Sequence, residues 1–361
     1  MGAASARGRP GTRAWIPRSV GVVAGGVLLV LGAASQRSSH AASERLSELP
    51  PVAHNARCEE CHADVAREWR GSGHQLAFTR PEFQRALVRE PKHAQGFCSD
   101  CHAPESVTER RLAGATKDDG VSVGAGALGV ACTSCHAEQS PSAQATRVGS
   151  GLGRTAPHGF MGTAGDAACG ACHDFSFQGK ASSFAMQRTL AEHRAASSEA
   201  TCVSCHMARS APVAGGANTK HWSHSFPGGR DAKFVASALS VTASRLEPGS
   251  VRITLTPRDV THAVPTGDLF RRLAVSVELP DGSKLERYLA RHFADSPRGR
   301  REVSDDRVHL TPRQVDFVLP RGMVGARVRW RVSYQRVAHV DPDREGEATL
   351  DGWSLVGSGE L

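Results

Sequence analysis

One five-residue pattern occurs five times between residues 58 and 206, and it constrains this chain more than any other feature. It reads Cys58-Glu59-Glu60-Cys61-His62, Cys98-Ser99-Asp100-Cys101-His102, Cys132-Thr133-Ser134-Cys135-His136, Cys169-Gly170-Ala171-Cys172-His173 and Cys202-Val203-Ser204-Cys205-His206. Two thiols three positions apart suit the two vinyl groups along one haem edge, and the histidine after the second thiol supplies an axial imidazole. The spacing therefore predicts five covalently bound haem c groups, with all ten cysteines as attachment points. His62, His102, His136, His173 and His206 are then the proximal iron ligands.

C-x-x-C pairs also serve zinc sites and thioredoxin-like centres, and exported chains use cysteine for disulfides. A zinc site has no need of a histidine after every second cysteine. A disulfide framework has no reason to place every cysteine in such a pair. All ten cysteines of the chain fall in the five motifs.

The N-terminus carries Arg7, Arg9, Arg13 and Arg18, then an apolar run from Val20 to Leu31 and the small residues Gly32 to Ser35. That order predicts a signal peptide over residues 1–34, cleaved near Ala34. The run is short of the roughly 20 apolar residues of a membrane span, so retention as a membrane tether is the minor alternative. Export to a periplasm agrees with c-type attachment, which takes place outside the cytoplasm. Loss of residues 1–34 lowers the formal charge from +8 to +4. Ten propionates and five ferric cores of about +1 each then bring the mature protein to roughly −1. No basic footprint survives, and no nucleic-acid binding is expected.

Residues 35–53 read as a polar leader with a Leu49-Pro50-Pro51 break. Residues 54–233 form the expected pentahaem domain, whose motifs start 40, 34, 37 and 33 residues apart. So little protein per macrocycle makes the haems much of the core. Helical signals occur at Ala63–Trp69, Pro81–Glu90 and Ala185–Arg194, with loops at Gly149–Thr155 and Ala211–Asn218. From residue 234 to 361 the pattern changes to strands: Ala236–Leu246, Val251–Thr256, Leu273–Leu279, Val315–Leu319 and Ala326–Tyr334, with a turn at Pro280–Ser283. The fold class expected is a mainly α-helical and irregular multihaem cytochrome c domain followed by a β-sandwich-like domain without cysteine.

Each iron has a second face. Of 17 histidines, five are proximal. The informative others are His54, His74, His93, His158, His193, His221, His224 and His262. His292, His309 and His339 read as β-domain surface residues.

Trp69-Arg70-Gly71-Ser72-Gly73-His74 resembles the W-x-x-S-x-H segment of periplasmic multihaem cytochromes c, a family that includes the tetrahaem carriers of nitrification. Gly129-Val130, Pro157-His158, Cys205-His206-Met207, His224-Ser225-Phe226-Pro227-Gly228-Gly229 and His262-Ala263-Val264-Pro265-Thr266-Gly267 are similar to the same family. The likeness runs from residue 54 through the β-rich tail. It implies distal ligation by His74, His158, His224 and His262. His54 and His93, each shortly before a motif, are candidates for the fifth iron, and His221 is a substitute for His224. His193 falls where no ligand is expected. Met161 and Met186 are weaker candidates, and Met207 adjoins a proximal histidine. A ligating His262 would dock the β domain on the haem domain; the alternative is a turn histidine within the β domain. Arg271 and Arg272 could pair with propionates or lie on a solvated face.

The function expected is electron transfer along mostly bis-histidine haems, rather than catalysis. Partners would be other cytochromes, a quinol oxidase or an oxidoreductase subunit. The alternative is a multihaem reductase or oxidase of a small nitrogen or sulfur compound at one five-coordinate haem. Pentahaem nitrite reductases have a lysine where one motif histidine stands, whereas all five motifs here end in histidine. Hydroxylamine-oxidising relatives use a tyrosine joined to the catalytic haem. Here Tyr288 and Tyr334 both lie in the β region.

Overall fold

Each of the five motifs closes a short helix in the computed structural model, which describes residues 49–116, 120–136, 165–178, 183–210, 221–247, 249–294, 297, 301–339 and 345–361. Helix α1 spans Pro51–Cys61, α2 Ala63–Trp69, α3 Pro81–Leu87, α4 Lys92–His102, α5 Glu105–Ala113, α6 Val123–Leu128 and α7 Cys132–His136. Then come α8 (Asp166–His173), strand β1 (Asp174–Gln178), β2 (Ser183–Arg188), α9 (Thr189–Ala195) and α10 (Cys202–His206). A helix brings positions i and i+3 to one face, so the C-x-x-C spacing turns both thiols the same way. The histidine that follows stands at the helix end. Helices this short are marginal alone in water and depend on what they pack against.

The expected helices at Ala63–Trp69 and from Pro81 are present, the second ending at Leu87. The expected helix at Ala185–Arg194 is corrected. Residues 183–188 form β2, antiparallel to β1, and the helix begins only at Thr189. The β-branched and aromatic content that favours strands is thin here. The pairing with β1, a tertiary choice, overrides the local preference. Helix α1 begins at Pro51, inside the expected leader. The expected signal peptide, His158, Met161 and the loops at 149–155 and 211–218 lie outside the described residues.

After α11 (Ala232–Ser237), capped by Asp231 Oδ1 accepting the Phe234 N–H at 2.9 Å, the chain turns to strands. They are β3 (Leu239–Glu247), β4 (Ser250–Pro257), β5 (Arg271–Glu278), β6 (Lys284–Leu289), β7 (Arg291–Ala294), β8 (Arg301–Asp305), β9 (Arg313–Val318), β10 (Arg329–Val337) and β11 (Leu350–Glu360). One antiparallel sheet has the order β11-β10-β5-β6, another β3-β4-β9, and β7 and β8 form a ribbon. Alternate residues of β4 (Val251, Ile253, Leu255) share one buried cluster with Leu273, Val275 and Val277 of β5, Phe317 of β9 and Val332 of β10. Both sheets thus bury facing rows in one core, as the period-two pattern requires. The five expected strands all appear, with ends shifted by one to three residues. The turn at Pro280–Ser283 joins β5 to β6, with Gly282 at φ 84°.

Strand β11 gave no alternation in sequence because Gly352, Gly357 and Gly359 interrupt it. At Gly359 a Cβ would lie 2.8 Å from the Trp330 ring, so the missing side chain makes room for the indole.

Several side chains tie the helical segment to the β-rich segment within one compact unit. Arg85 donates to Asp351 at 2.7 Å, Thr189 and Thr266 share a hydroxyl contact at 2.9 Å, and Arg307 reaches Glu192 at 2.6 Å. Arg188 meets Glu302 at 3.0 Å and also pairs with Asp305. Among the described residues no helix is long and apolar enough to cross a membrane.

Candidate haem sites

Three motif histidines face three of the histidines singled out in the sequence. His74 and His173 have ring centroids 6.3 Å apart, His136 and His224 6.2 Å, and His206 and His262 6.3 Å. Each pair unites imidazoles distant in sequence. The spacing is nearly the same in all three.

Hydrogen bonds show which nitrogen each ring leaves open. His206 Nδ1 lies 2.8 Å from Pro227 O, His224 Nδ1 2.7 Å from Trp222 O, and His262 Nδ1 3.0 Å from Ala263 O. His102 Nδ1 lies 2.9 Å from Ala77 O. A carbonyl can only accept, so Nδ1 carries the proton and Nε2 keeps its lone pair, the form in which imidazole binds a metal. Burial holds His173, His224, His262 and His102 below the usual histidine range, hence neutral. His74 is pushed down to about 3, by burial and then by the imidazoles of His173, His206 and His224. This donor set of thiol pairs with opposed imidazoles fits haem c.

The same test separates the substitutes. His221 turns Nε2 to Glu68 Oε2 at 3.1 Å, so that nitrogen is engaged, and His224 is the ring facing His136. His193 is buried with Nδ1 2.7 Å from Thr261 Oγ1 and Nε2 3.7 Å from Asp166 Oδ2. His54 is buried on α1, and His93 lies on α4. Met186 sits in β2, where its carbonyl accepts from Arg291 at 3.1 Å. Met207 caps α10.

Three of the segments that carry the sequence resemblance meet around His74. Trp69 Nε1 donates to Val130 O at 2.8 Å, and the Val130 N–H donates to His74 O at 3.0 Å. Trp69, Leu128 and Ala131 pack with Phe226. The Phe226 ring lies 4.2 Å from the His74 ring and 5.6 Å from that of His224. Gly129 has φ 57°, and a Cβ there would lie 2.3 Å from Gln75 O and 2.5 Å from His74 O. Only glycine allows that approach.

The motifs also touch one another. As free thiols, Cys58 lies within hydrogen-bond reach of Cys132, Cys101 of Cys172, and Cys169 of Cys202, and burial raises Cys135 to about 11. Read as disulfides, these three contacts would leave Cys61, Cys98, Cys135 and Cys205 over; haem attachment uses all ten. Motif four therefore touches motifs two and five, and motif one touches motif three.

Other features had no sequence signal. Asn55 is fully buried; its Oδ1 accepts the Cys132 N–H at 3.0 Å and its Nδ2 donates to Glu59 at 2.6 Å. Buried Glu105 accepts from Ser134 Oγ at 2.8 Å. A lone Asn or Glu on a helix reads as solvated, so only the folded structure reveals these ties.

Arg271 pairs with Asp268 at 2.8 Å and donates to Tyr334 Oη at 2.8 Å. Arg272 stacks on Tyr288 at 3.9 Å and donates to Gln335 at 2.8 Å. Both tyrosines are thereby engaged with arginines of the β region.

Residues 57–137 match the family of cytochrome c554 and c-prime. No curated protein matches the chain. The matched stretch holds the first three motifs and the Trp69–His74 segment. It supports a multihaem c-type cytochrome with covalently bound haem c and an electron-transfer role.

Proposed function

We propose that the chain is an exported pentahaem cytochrome c that passes single electrons along closely spaced, mostly bis-histidine haems. The observation that carries this is the near-identical spacing of the pairs His74–His173, His136–His224 and His206–His262. We assign them as axial pairs of the fourth, third and fifth motifs. His54, His93 and His158 are the candidates for the other two irons. Haem supplies one-electron exchange between ferric and ferrous iron. The two imidazoles of each pair would hold the iron in either oxidation state with little rearrangement, and burial and the hydrogen bonds to these rings would tune its potential. Contacts between motifs one and three, two and four, and four and five support a relay in which motif four is the junction. The expected setting is a periplasm, with or without a membrane tether. The expected partners are another cytochrome, a quinol oxidase or an oxidoreductase subunit, with the β-rich segment docked on the haem segment.

Haem counting by pyridine haemochrome, with low-temperature EPR of the oxidised protein, tests this. Five haems, all low-spin, are expected; fewer than five, or several high-spin irons, would overturn it. A second reading is reduction or oxidation of a small nitrogen or sulfur compound at one five-coordinate haem. One stoichiometric high-spin signal that shifts on adding nitrite or hydroxylamine would establish that reading.

A further inference from the structure

We propose that Glu68 and Glu192 are positioning residues that hold the backbone carrying two axial imidazoles, His224 and His262, and whose charge lowers the reduction potentials of the corresponding irons. The inference rests on the axial assignments above and extends them to groups that touch neither iron nor porphyrin.

Glu192 stands on α9, in the haem-bearing segment, and is largely buried. Its Oε2 accepts the Ala263 N–H at 3.2 Å and the Thr266 hydroxyl at 2.8 Å. It thereby pins both ends of the Ala263–Thr266 turn. Ala263 is also the residue whose carbonyl takes the His262 Nδ1 proton at 3.0 Å. One peptide segment is held by the carboxylate on one side and orients the imidazole on the other. Arg307, buried behind it, meets Glu192 Oε1 at 2.6 Å and fixes the carboxylate.

Glu68, on α2, repeats the arrangement at the other pair. Its Oε2 accepts the His224 N–H at 2.8 Å and faces His221 Nε2 at 3.1 Å. The His224 ring is oriented by Trp222 O, two residues away, so holding the backbone at 224 holds the local loop that aims the ring. In both cases a helix from the first part of the chain reaches a segment distant in sequence at the residue that presents, or adjoins, the imidazole. Outer partners of this kind fix ring orientation and tune the metal. A carboxylate near an iron also favours the more positive ferric state, which lowers its potential.

The test compares holoprotein variants by EPR and spectroelectrochemical titration. Glu68→Gln and Glu192→Gln retain an acceptor oxygen and remove the charge. They are expected to keep every wild-type low-spin signal while one potential per variant rises. Glu68→Ala and Glu192→Ala remove the acceptor too, and are expected to broaden one low-spin signal and convert part of that iron to high-spin. Unchanged spectra and potentials in all four variants, or a loss of thermal stability alone, would overturn the proposal. If Glu192→Ala does not fold, the Gln variants and Glu68→Ala decide. His224→Ala and His262→Ala separate the two levels. If they leave the spectra unchanged, the axial assignments fail; if they turn one haem high-spin while the glutamate variants behave as wild type, only the positioning role fails.

Discussion

At Gly129 a single missing Cβ lets the chain before the third motif lie against the His74 carbonyl. Gly129→Ala meets both a positive φ and a 2.3 Å approach to Gln75 O. It is expected to cost about 1–3 kcal/mol, read by denaturation of the holoprotein, and to disturb the EPR signal of the haem proposed at motif four. His74→Ala is expected to turn one haem high-spin; an unchanged spectrum would reject the pairing with His173. His292 gives the clearest pH dependence. It sits between Asp306 and Glu345, at 2.9 Å from each, and hydrogen bonding to Asp306 foremost raises it to about 9. A raised pKa stabilises the fold fully below about pH 6.5. That contribution disappears as pH rises through about 9, a loss on the order of 1–2 kcal/mol for this partly exposed group. His292→Gln is expected to flatten that part of a stability-versus-pH curve. The sequence marked His292 only as a surface histidine, because its carboxylate partners come from residues 306 and 345.

Between elements, the ion pairs differ in worth by burial. Arg307 is 3% exposed at its side chain and pairs with Glu192 and Asp305. Arg307→Ala leaves two carboxylates desolvated and is expected to cost about 3–5 kcal/mol. Arg85, 56% exposed against Asp351, joins the same two parts of the chain. Arg85→Ala is expected to cost under about 1 kcal/mol. Chemical denaturation of both variants checks the contrast. In the sandwich, Ile253→Ala is expected to cost about 2–5 kcal/mol, since the residue is fully buried between sheets. Strands β3, β4, β5, β9 and β10 were legible because alternating apolar residues face a core. Strands β6 and β11 were not: Lys284-Leu285-Glu286-Arg287 puts charges on an exposed face, and the glycines of β11 remove the pattern. The segment Ala185–Arg188 looked helical and pairs as a strand, because the partner strand β1 lies across a connection that no local pattern reports.

For the molecule as a whole, thiol contacts join motif four to motifs two and five. Replacing Cys169 and Cys172 by serine is expected to lower the haem count by at least two, whereas the same change at Cys58 and Cys61 removes one. Pyridine haemochrome per chain measures both. The linear order of residues determined the cofactor chemistry, since thiols and imidazole close together in sequence meet one haem edge and one iron. It also determined the boundary between helical and β-rich segments, through a change of period. Which imidazole faces which motif histidine was decided only in three dimensions. So was the reach of Glu68 and Glu192 to distant loops. The reason is physical: a proximal ligand is placed by its own helix turn, but an opposing ligand is placed by packing, burial and hydrogen bonds between segments up to about 150 residues apart, which local pattern does not encode.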